Sequence, residues 1–368
     1  MQIDQYIKRR SLYLGASIEK KLKVYLDTKY WLLLRDAHIE KPRSPSHTKL
    51  LELLCKARQS GLVVCPCYLP TFLELARQSD PLTLQRTAEL MDILSGGVCL
   101  RFPEERIMME ILHFFRTKSA GIESCYESSL LAWTKITHVL GVMLPYNGSL
   151  GDKTNHVLQI KYFDYAWDRT LHDMIQTVGA HEFNNNIGKI RFNFADKLNI
   201  GKFEHADELQ SFSETILTEV GGFLDTIKPL LKDAAIQMYL TATGLAVNDD
   251  EIEKTDPERQ MANLIYHCFR LGKIKEELPT IKIQSTLHAA IRWDRNRKFK
   301  DNDLLDIEHA TGALPYCDFF LTEKSLCSLV TRKDIEFDRL YGCKVFSDPC
   351  LAVEAIEKQL VEIVRHGE

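Results

Sequence analysis

The sequence predicts an α/β fold, a five-stranded parallel sheet flanked by helices and interrupted by a mostly α-helical insertion. Two observations carry this. Short, β-rich apolar runs alternate with helical patterns at both ends of the chain, an order that favours parallel strands joined by helices. From about residue 103 to about residue 299 apolar residues recur at spacings of three and four, and strand signals nearly vanish. The α/β domain therefore takes 20–102 and 300–368, and the helical insertion takes 103–299. A length of 368 residues agrees with this division, because it exceeds what one compact core usually serves.

The elements follow in order. LKVYL, 22–26, is a strand that ends abruptly in Asp27, and Asp27 or Thr28 then suits the N-cap of a helix over WLLL. KPRSPS, 41–46, is a loop before the helical spacing of HTKLLELLCKARQ, which a glycine stops. LVVCP is a second strand, and LPTFLELARQS a helix with Glu74 on its first turns. The helix LTLQRTAELMDILSG leads into VCLRF, a third strand. ERIMMEILHFFRTK, LLAWTKITHVLGVM, YFDYAWDRTLHDMIQTVG and the long segment ending in IQMYL read as helices of the insertion. Its loops fall at LPYNGSLGDKTN, HEFNNNIGK and GLAVNDDEIEKTDPE. The α/β rhythm then returns: helix LLDIEHATGAL, strand DFFLT, helix KSLCSLVTR, strand CKVFS and a last helix, DPCLAVEAIEKQLVEIVR.

Charge and cysteine usage narrow the class. Lys and Arg number 47 against 51 Asp and Glu, a net charge of −4 that does not single out a nucleic-acid binder. A local basic groove is compatible with an acidic remainder. Ten cysteines show no disulfide or zinc framework: Cys65 and Cys67 in VVCPCYLP lack zinc-ribbon spacing and suit small buried positions at a strand end. MQIDQYIKRR carries no secretory signal, and no apolar run approaches the ~18 residues of a membrane span. The expectation is a cytoplasmic protein with reduced thiols and no membrane partner.

The chemistry concentrates in acids near strand ends. In parallel α/β sheets, ligands bind beyond the carboxyl ends of the strands. Asp27 ends the first strand, and Glu74 lies a turn or two beyond the second. Asp303 and Asp306 open the helix before the fourth strand, and Asp318 and Glu323 flank that strand. Converging carboxylates repel one another unless a cation binds among them, and such an oxygen-rich set suits Mg²⁺ or Mn²⁺. Those ions activate water and neutralise a phosphoryl transition state, which is the chemistry of phosphodiester hydrolysis.

YLDTKYW, LPTFLELAR, DLLDIEHATGA and CDFFLTEK, in that order, resemble the motifs of PIN-domain nucleases, over roughly half of the chain. The resemblance implies a five-stranded parallel α/β fold in which three or four acids hold divalent metal, and a hydrolase activity, that of an endonuclease directed mainly at RNA. It assigns the metal-ligand and catalytic positions to Asp27, Glu74, Asp306 and Glu323. Asp318 and Asp303 are secondary candidates, Asp318 as a structural acid and Asp303 as the N-cap of its helix. The usual residue at the fourth position is Asp, where this chain has Glu323.

Plainer roles exist for several of these residues. Asp27 also suits a simple N-cap, Glu74 a solvated helix charge, Thr322 a turn and His309 packing one turn beyond Asp306. Glu308 is expected to face solvent. IRWDRNRKFKDND, 291–303, places Arg292, Arg295, Arg297, Lys298 and Lys300 around Trp293 and Phe299, a pattern able to hold phosphates and stack bases, or else a solvated basic helix end. In the insertion, His172 with Asp173 and His181 with Glu182 are sequence neighbours and diverge on a helix. The insertion's roles stay open among covering the acidic edge, shaping substrate choice, and joining a second copy or a partner protein. The expected function is a metal-dependent nuclease using Mg²⁺ or Mn²⁺, with RNA the first substrate and single-stranded DNA the second. Its rival is a PIN-like scaffold that binds nucleic acid or a protein without cutting.

Overall fold

The structure, a computed structural model, describes residues 2–78, 80–118, 128–179, 195–204, 210–245 and 255–367. The loop HEFNNNIGK, with His181 and Glu182, lies outside them. The chain forms two compact units, one of Met1–Phe102, Ser129–Arg191 and Gly312–Glu368, the other of Pro103–Ser128 and Phe192–Thr311. We call them the sheet unit and the helical unit. The grouping differs from the sequence division at two places: the described residues 129–179 group with the sheet, and 300–311 with the helices.

The sheet unit opens with α1 (Ile3–Ile18), β1 (Leu22–Leu26), α2 (Thr28–His38), α3 (Pro45–Gln59), β2 (Val63–Val64), α4 (Leu69–Leu75), α5 (Pro81–Ser95) and β3 (Val98–Leu100). After an excursion through α6 (Pro103–Lys118) of the helical unit come α7 (Ser128–Leu131), β4 (Trp133–Lys135), α8 (Asp152–Trp167) and α9 (Leu171–Val178). The principal sheet has the order β2-β1-β5-β6, all parallel, where β5 is Phe319–Leu321 and β6 is Lys344–Phe346. Val24 pairs with Phe319 and Phe319 with Lys344, so β1 and β5 are the central strands. Val24, Tyr25, Leu26, Phe319, Phe320 and Leu321 are all buried. Helices cover both faces of such strands, which is why they read as unbroken apolar runs and not as alternation.

Four strands, not five, make up this parallel sheet. VCLRF does form β3, but its ladder is antiparallel to β4, and among the described residues a single parallel bridge, Cys67 to Cys99, joins it on the other side. β4 lies inside LLAWTKITHVL, which the three-four spacing of its apolar residues reads as helix. A three-residue strand carries no periodicity of its own; Trp133 and Thr134 become β because the open edge of β3 offers backbone partners. Pro66 explains the brevity of β2, since it has no N–H to extend the ladder.

The N-terminal stretch forms α1, and Gly15 lets it lie against α7: a Cβ there would meet the carbonyl oxygen of Leu130 at 2.3 Å. α9 is capped from α5, where the Asp92 carboxylate accepts the backbone N–H groups of Leu171 and His172, each at 2.9 Å. His138 stacks on Phe163 with ring centroids 4.8 Å apart, and Trp167 packs against Phe163. These contacts, with the β3–β4 ladder, are why the described residues 129–179 belong to the sheet unit. Burial first, then Arg101, lowers the His138 pKa from 6.5 to about 4. The folded value lies below the unfolded one, so this group's stabilisation is complete above pH 6.5 and is lost as the pH falls towards 4. A shift of this size is worth about 3 kcal/mol. Urea midpoints of the wild type are therefore expected to fall more steeply between neutral and mildly acid pH than those of His138→Phe, which keeps the stack and removes the titration. Equal slopes for the two proteins would contradict this.

The helical unit contains α6, α10 (Ala195–Glu204), α11 (Phe212–Thr226), α12 (Lys228–Thr243), α13 (Pro257–Arg270), α14 (Pro279–Trp293) and the start of α15 (Asp303–Tyr316). Its core joins Ile107, Ile111 and Phe114 of α6 with Val220, Leu224, Leu231, Ile265 and Ile281. Arg106 is fully buried in this unit and binds Glu308 and Thr311, which is why 300–311 groups here. Glu308 thus points inward to a guanidinium, contrary to the solvent-facing expectation. The chain closes in the sheet unit with α16 (Lys324–Val330), α17 (Phe337–Tyr341) and α18 (Pro349–Gly367). No helix of the described residues is long and apolar enough to cross a membrane. The described cysteines form no disulfide with one another, and Cys65 and Cys67 are buried, as expected for small residues at a strand end.

Candidate active site

The carboxyl end of the central strand β1 runs directly into Asp27. The Asp27 N–H donates to the Leu321 carbonyl at 3.0 Å, which carries the β1–β5 pairing one residue past the strand. Its side chain then turns to α2: Oδ1 accepts the Tyr30 N–H at 3.0 Å, and Asp27 is the N-cap of that helix. Only 5% of Asp27 is exposed. A carboxylate at a helix N-terminus is favoured by the helix dipole as well as by the cap bond.

Thr28 opens α2 and links Asp27 to the second acid. Its hydroxyl donates to Oε2 of Glu74, on α4. Glu74 is half-buried. Leu69 and Pro70 begin α4 next to the buried Tyr68, and Tyr68 in turn packs on the small-residue helix α15: a Cβ on Gly312 would lie 2.7 Å from the Tyr68 ring. The glycine of HATGA is thus a packing requirement beneath the helix that presents Glu74. Tyr30, one turn into α2, is buried, and its hydroxyl has no hydrogen-bond partner among the described residues. Burial and then the Asp27 carboxylate push its pKa up, so it stays a neutral phenol beside the acid.

Beyond β5, Thr322 is buried and donates its N–H to the Phe346 carbonyl at 2.9 Å, extending the β5–β6 ladder. Glu323 follows as the N-cap residue of α16, but its side chain makes no cap hydrogen bond and is exposed. Asp27 and Glu323 therefore leave the carboxyl ends of two hydrogen-bonded neighbouring strands.

The remaining acids are placed differently. Asp318 precedes β5, at the opposite, amino-terminal edge of the sheet, where Oδ2 accepts the Lys23 N–H at 2.7 Å and faces the Lys23 ammonium at 3.5 Å. It has the structural role expected for it and is not brought to Asp27. Asp303 is the first residue of α15, not the residue before it; its carboxylate reaches back to the Lys300 N–H at 2.8 Å and to the Arg297 guanidinium at 2.9 Å. Asp306 is half-buried on the first turn of α15, in the helical unit, with its N–H on the Asn302 carbonyl. His309 is buried in the same unit. Among the described residues no group of three or more His, Cys, Asp or Glu stands close enough together to hold a metal ion. The donors at the sheet edge are nonetheless all hard oxygens, the type that Mg²⁺ and Mn²⁺ select.

Of the basic residues, Arg292 pairs with Glu219 at 2.7 Å and Arg297 with Asp303 at 2.9 Å. Arg295, Lys298 and Lys300 are exposed. Phe299 is buried against His288, with ring centroids 5.5 Å apart, and is not available for stacking bases. The sequence reading missed Thr28 as the link to Glu74, although a hydroxyl immediately after a strand-ending acid was a visible signal. Comparison of the chain with protein-family models, with curated proteins and with solved structures gave no match.

Proposed function

We propose that this protein is a metal-dependent nuclease of PIN-like type that hydrolyses phosphodiester bonds with Mg²⁺ or Mn²⁺. The observation that carries the reading is the edge of the central parallel strands: Asp27 ends β1, Thr28 ties it to Glu74, and Glu323 follows the neighbouring strand β5. Asp306 joins the set through its motif, DIEHATGA, and the resemblance built on it.

In this reading the chain's own groups divide the work. Asp27 is oriented by the Tyr30 N–H and by α2, so its carboxylate keeps a fixed direction as a ligand. The Thr28 hydroxyl orients Glu74 in the same way, as hydrogen bonds to metal-binding carboxylates commonly do. Glu323, exposed and uncapped, is the adaptable ligand. A divalent ion, when bound, supplies Lewis acidity and offsets the charge that develops on the phosphoryl group. RNA is the first substrate to test and single-stranded DNA the second.

Purified protein with Mn²⁺ is expected to cleave a mixed pool of RNA and single-stranded DNA, to stop on addition of a chelator, and to lose cleavage in the Asp27→Asn/Asp306→Asn variant. Unchanged cleavage by that variant would overturn the proposed ligand set. Nucleic-acid binding without any cleavage by the wild type would favour a non-cleaving scaffold instead.

A further inference from the structure

A cleft of about 1220 Å³ opens in the helical unit between α10 and the end of α14 with the loop that follows it. Two polar latches hold its walls together. The Lys202 ammonium, from α10, donates to the carbonyls of Ile291 at 2.7 Å, Asp294 at 2.5 Å and Arg297. That places a cation on the carboxyl end of α14, where the helix dipole is negative. Asn199, one turn earlier, engages both backbone groups of Phe299, accepting its N–H at 2.8 Å and donating to its carbonyl at 2.9 Å. The cleft is a built feature of this unit.

Its lining combines two kinds of group. Phe203 and Trp293 are the aromatics, 85% and 39% exposed. A phenyl ring that exposed is unusual in a packed domain, and here it shares the cleft's lining with an indole. The cations sort by partner. Arg292 and Arg297 are neutralised by Glu219 and Asp303, and Lys202 is engaged by the carbonyls. Arg295 and Lys298 are exposed and form no ion pair among the described residues. Asp196 and Glu204 also line the cleft and limit its positive charge. Aromatic faces beside uncommitted Arg and Lys are the two components that hold an unpaired nucleotide, the ring by stacking and the cations by phosphate contact.

We propose that this cleft binds an unpaired nucleotide, its base against Trp293 and Phe203 and its phosphate on Arg295 and Lys298. The proposal is independent of the carboxylate edge, and a protein that cuts nothing would still bind. The chemistry is shared by a single strand and by a free mononucleotide, and the test separates them.

The full chain, with chelator present so that no substrate is cut, is titrated into a fluorescently labelled oligouridylate, an oligothymidylate and a duplex of the same length. Single strands are expected to bind more tightly than duplex, with affinity falling as salt rises. Arg295→Glu/Lys298→Glu is expected to weaken binding at least tenfold, and Trp293→Ala about five- to 150-fold. Trp293→Phe retains most of the affinity. Competition by uridine monophosphate assigns the cleft to a free nucleotide; strand binding without such competition assigns it to a nucleotide within a chain. Because Arg295 and Lys298 are exposed, their variant keeps its fold, checked by far-ultraviolet circular dichroism. Wild-type affinity in that folded variant, or no binding of single strands by the wild type at low salt, would overturn the proposal.

Discussion

Asparagine in place of Asp27 is expected to leave stability nearly unchanged while lowering the rate of Mn²⁺-dependent cleavage by about two to three orders of magnitude. Asn caps a helix about as well as Asp, so the bond from the Tyr30 N–H to the side-chain oxygen survives the change. What disappears is the anionic charge at the end of β1, and with it the ligand strength that the proposed chemistry needs. Asp27→Ala differs in one instructive respect: it also removes the cap and is expected to cost ~1 kcal/mol of stability. Initial cleavage rates and urea midpoints, measured on both variants, separate the two roles of this side chain. Cleavage by Asp27→Asn at the wild-type rate would remove Asp27 from the site.

Arg106→Leu is expected to destabilise the helical unit by about 3–5 kcal/mol, the cost of breaking a buried ion pair from one side. The Arg106 side chain has no exposed surface. Its Nη2 meets Glu308 at 3.2 Å and the Thr311 hydroxyl at 2.9 Å, and its Nη1 meets the Thr311 carbonyl at 3.1 Å. Glu110, one turn along α6, lies 3.9 Å from Nε and is itself buried. That carboxylate has a second duty. Leu278, the N-cap residue of α14, has no capping side chain, and Glu110 accepts the Thr280 N–H at 3.0 Å and hydroxyl at 2.7 Å in its place. Removing Arg106 takes its guanidinium away from the buried Glu110 carboxylate. Arg106→Leu/Glu110→Gln is therefore expected to recover part of the loss, since a neutral amide oxygen still accepts from Thr280. Denaturant unfolding of the three proteins checks this, and a double variant no more stable than Arg106→Leu would contradict the reading of a buried ion pair between Arg106 and Glu110.

The parts of the fold legible in the sequence were those with a local physical signature. LKVYL, DFFLT and CKVFS are apolar runs with β-rich composition, and each contributes a strand to the parallel sheet. Asp27 was legible because an acid after a strand and before a helical pattern is an N-cap signal whatever else it does. β4 was not, because three residues are too few for a period and its strand state is imposed by β3. The division at 129–179 was hidden for a similar reason: the His138–Phe163 stack and the capping of α9 by Asp92 are contacts between residues distant in sequence.

The acidic site shows the same limit. An Asp or a Glu in sequence does not reveal its partner. Asp303 and Asp318 look alike beside DFFLT, yet one holds Arg297 and the other holds Lys23 at the far end of the sheet. Glu308, read as a solvated helix charge, is held by a buried arginine 202 residues away. In the basic segment, spacing suggested five similar cations, whereas the fold neutralises Arg292 and Arg297 and leaves Arg295, Lys298 and Lys300 exposed. Lys202 and Phe203, on the other wall of that cleft, lie some ninety positions upstream and carry no motif.

The most direct test of a metal site at the carboxyl edge of β1 is a titration of Mn²⁺ followed by the electron paramagnetic resonance signal of the free ion, without nucleic acid present. Wild-type protein is expected to deplete that signal, and Asp27→Asn to bind Mn²⁺ at least ~10-fold more weakly. Equal depletion by the two proteins, or none by the wild type, would contradict a metal centre built on Asp27.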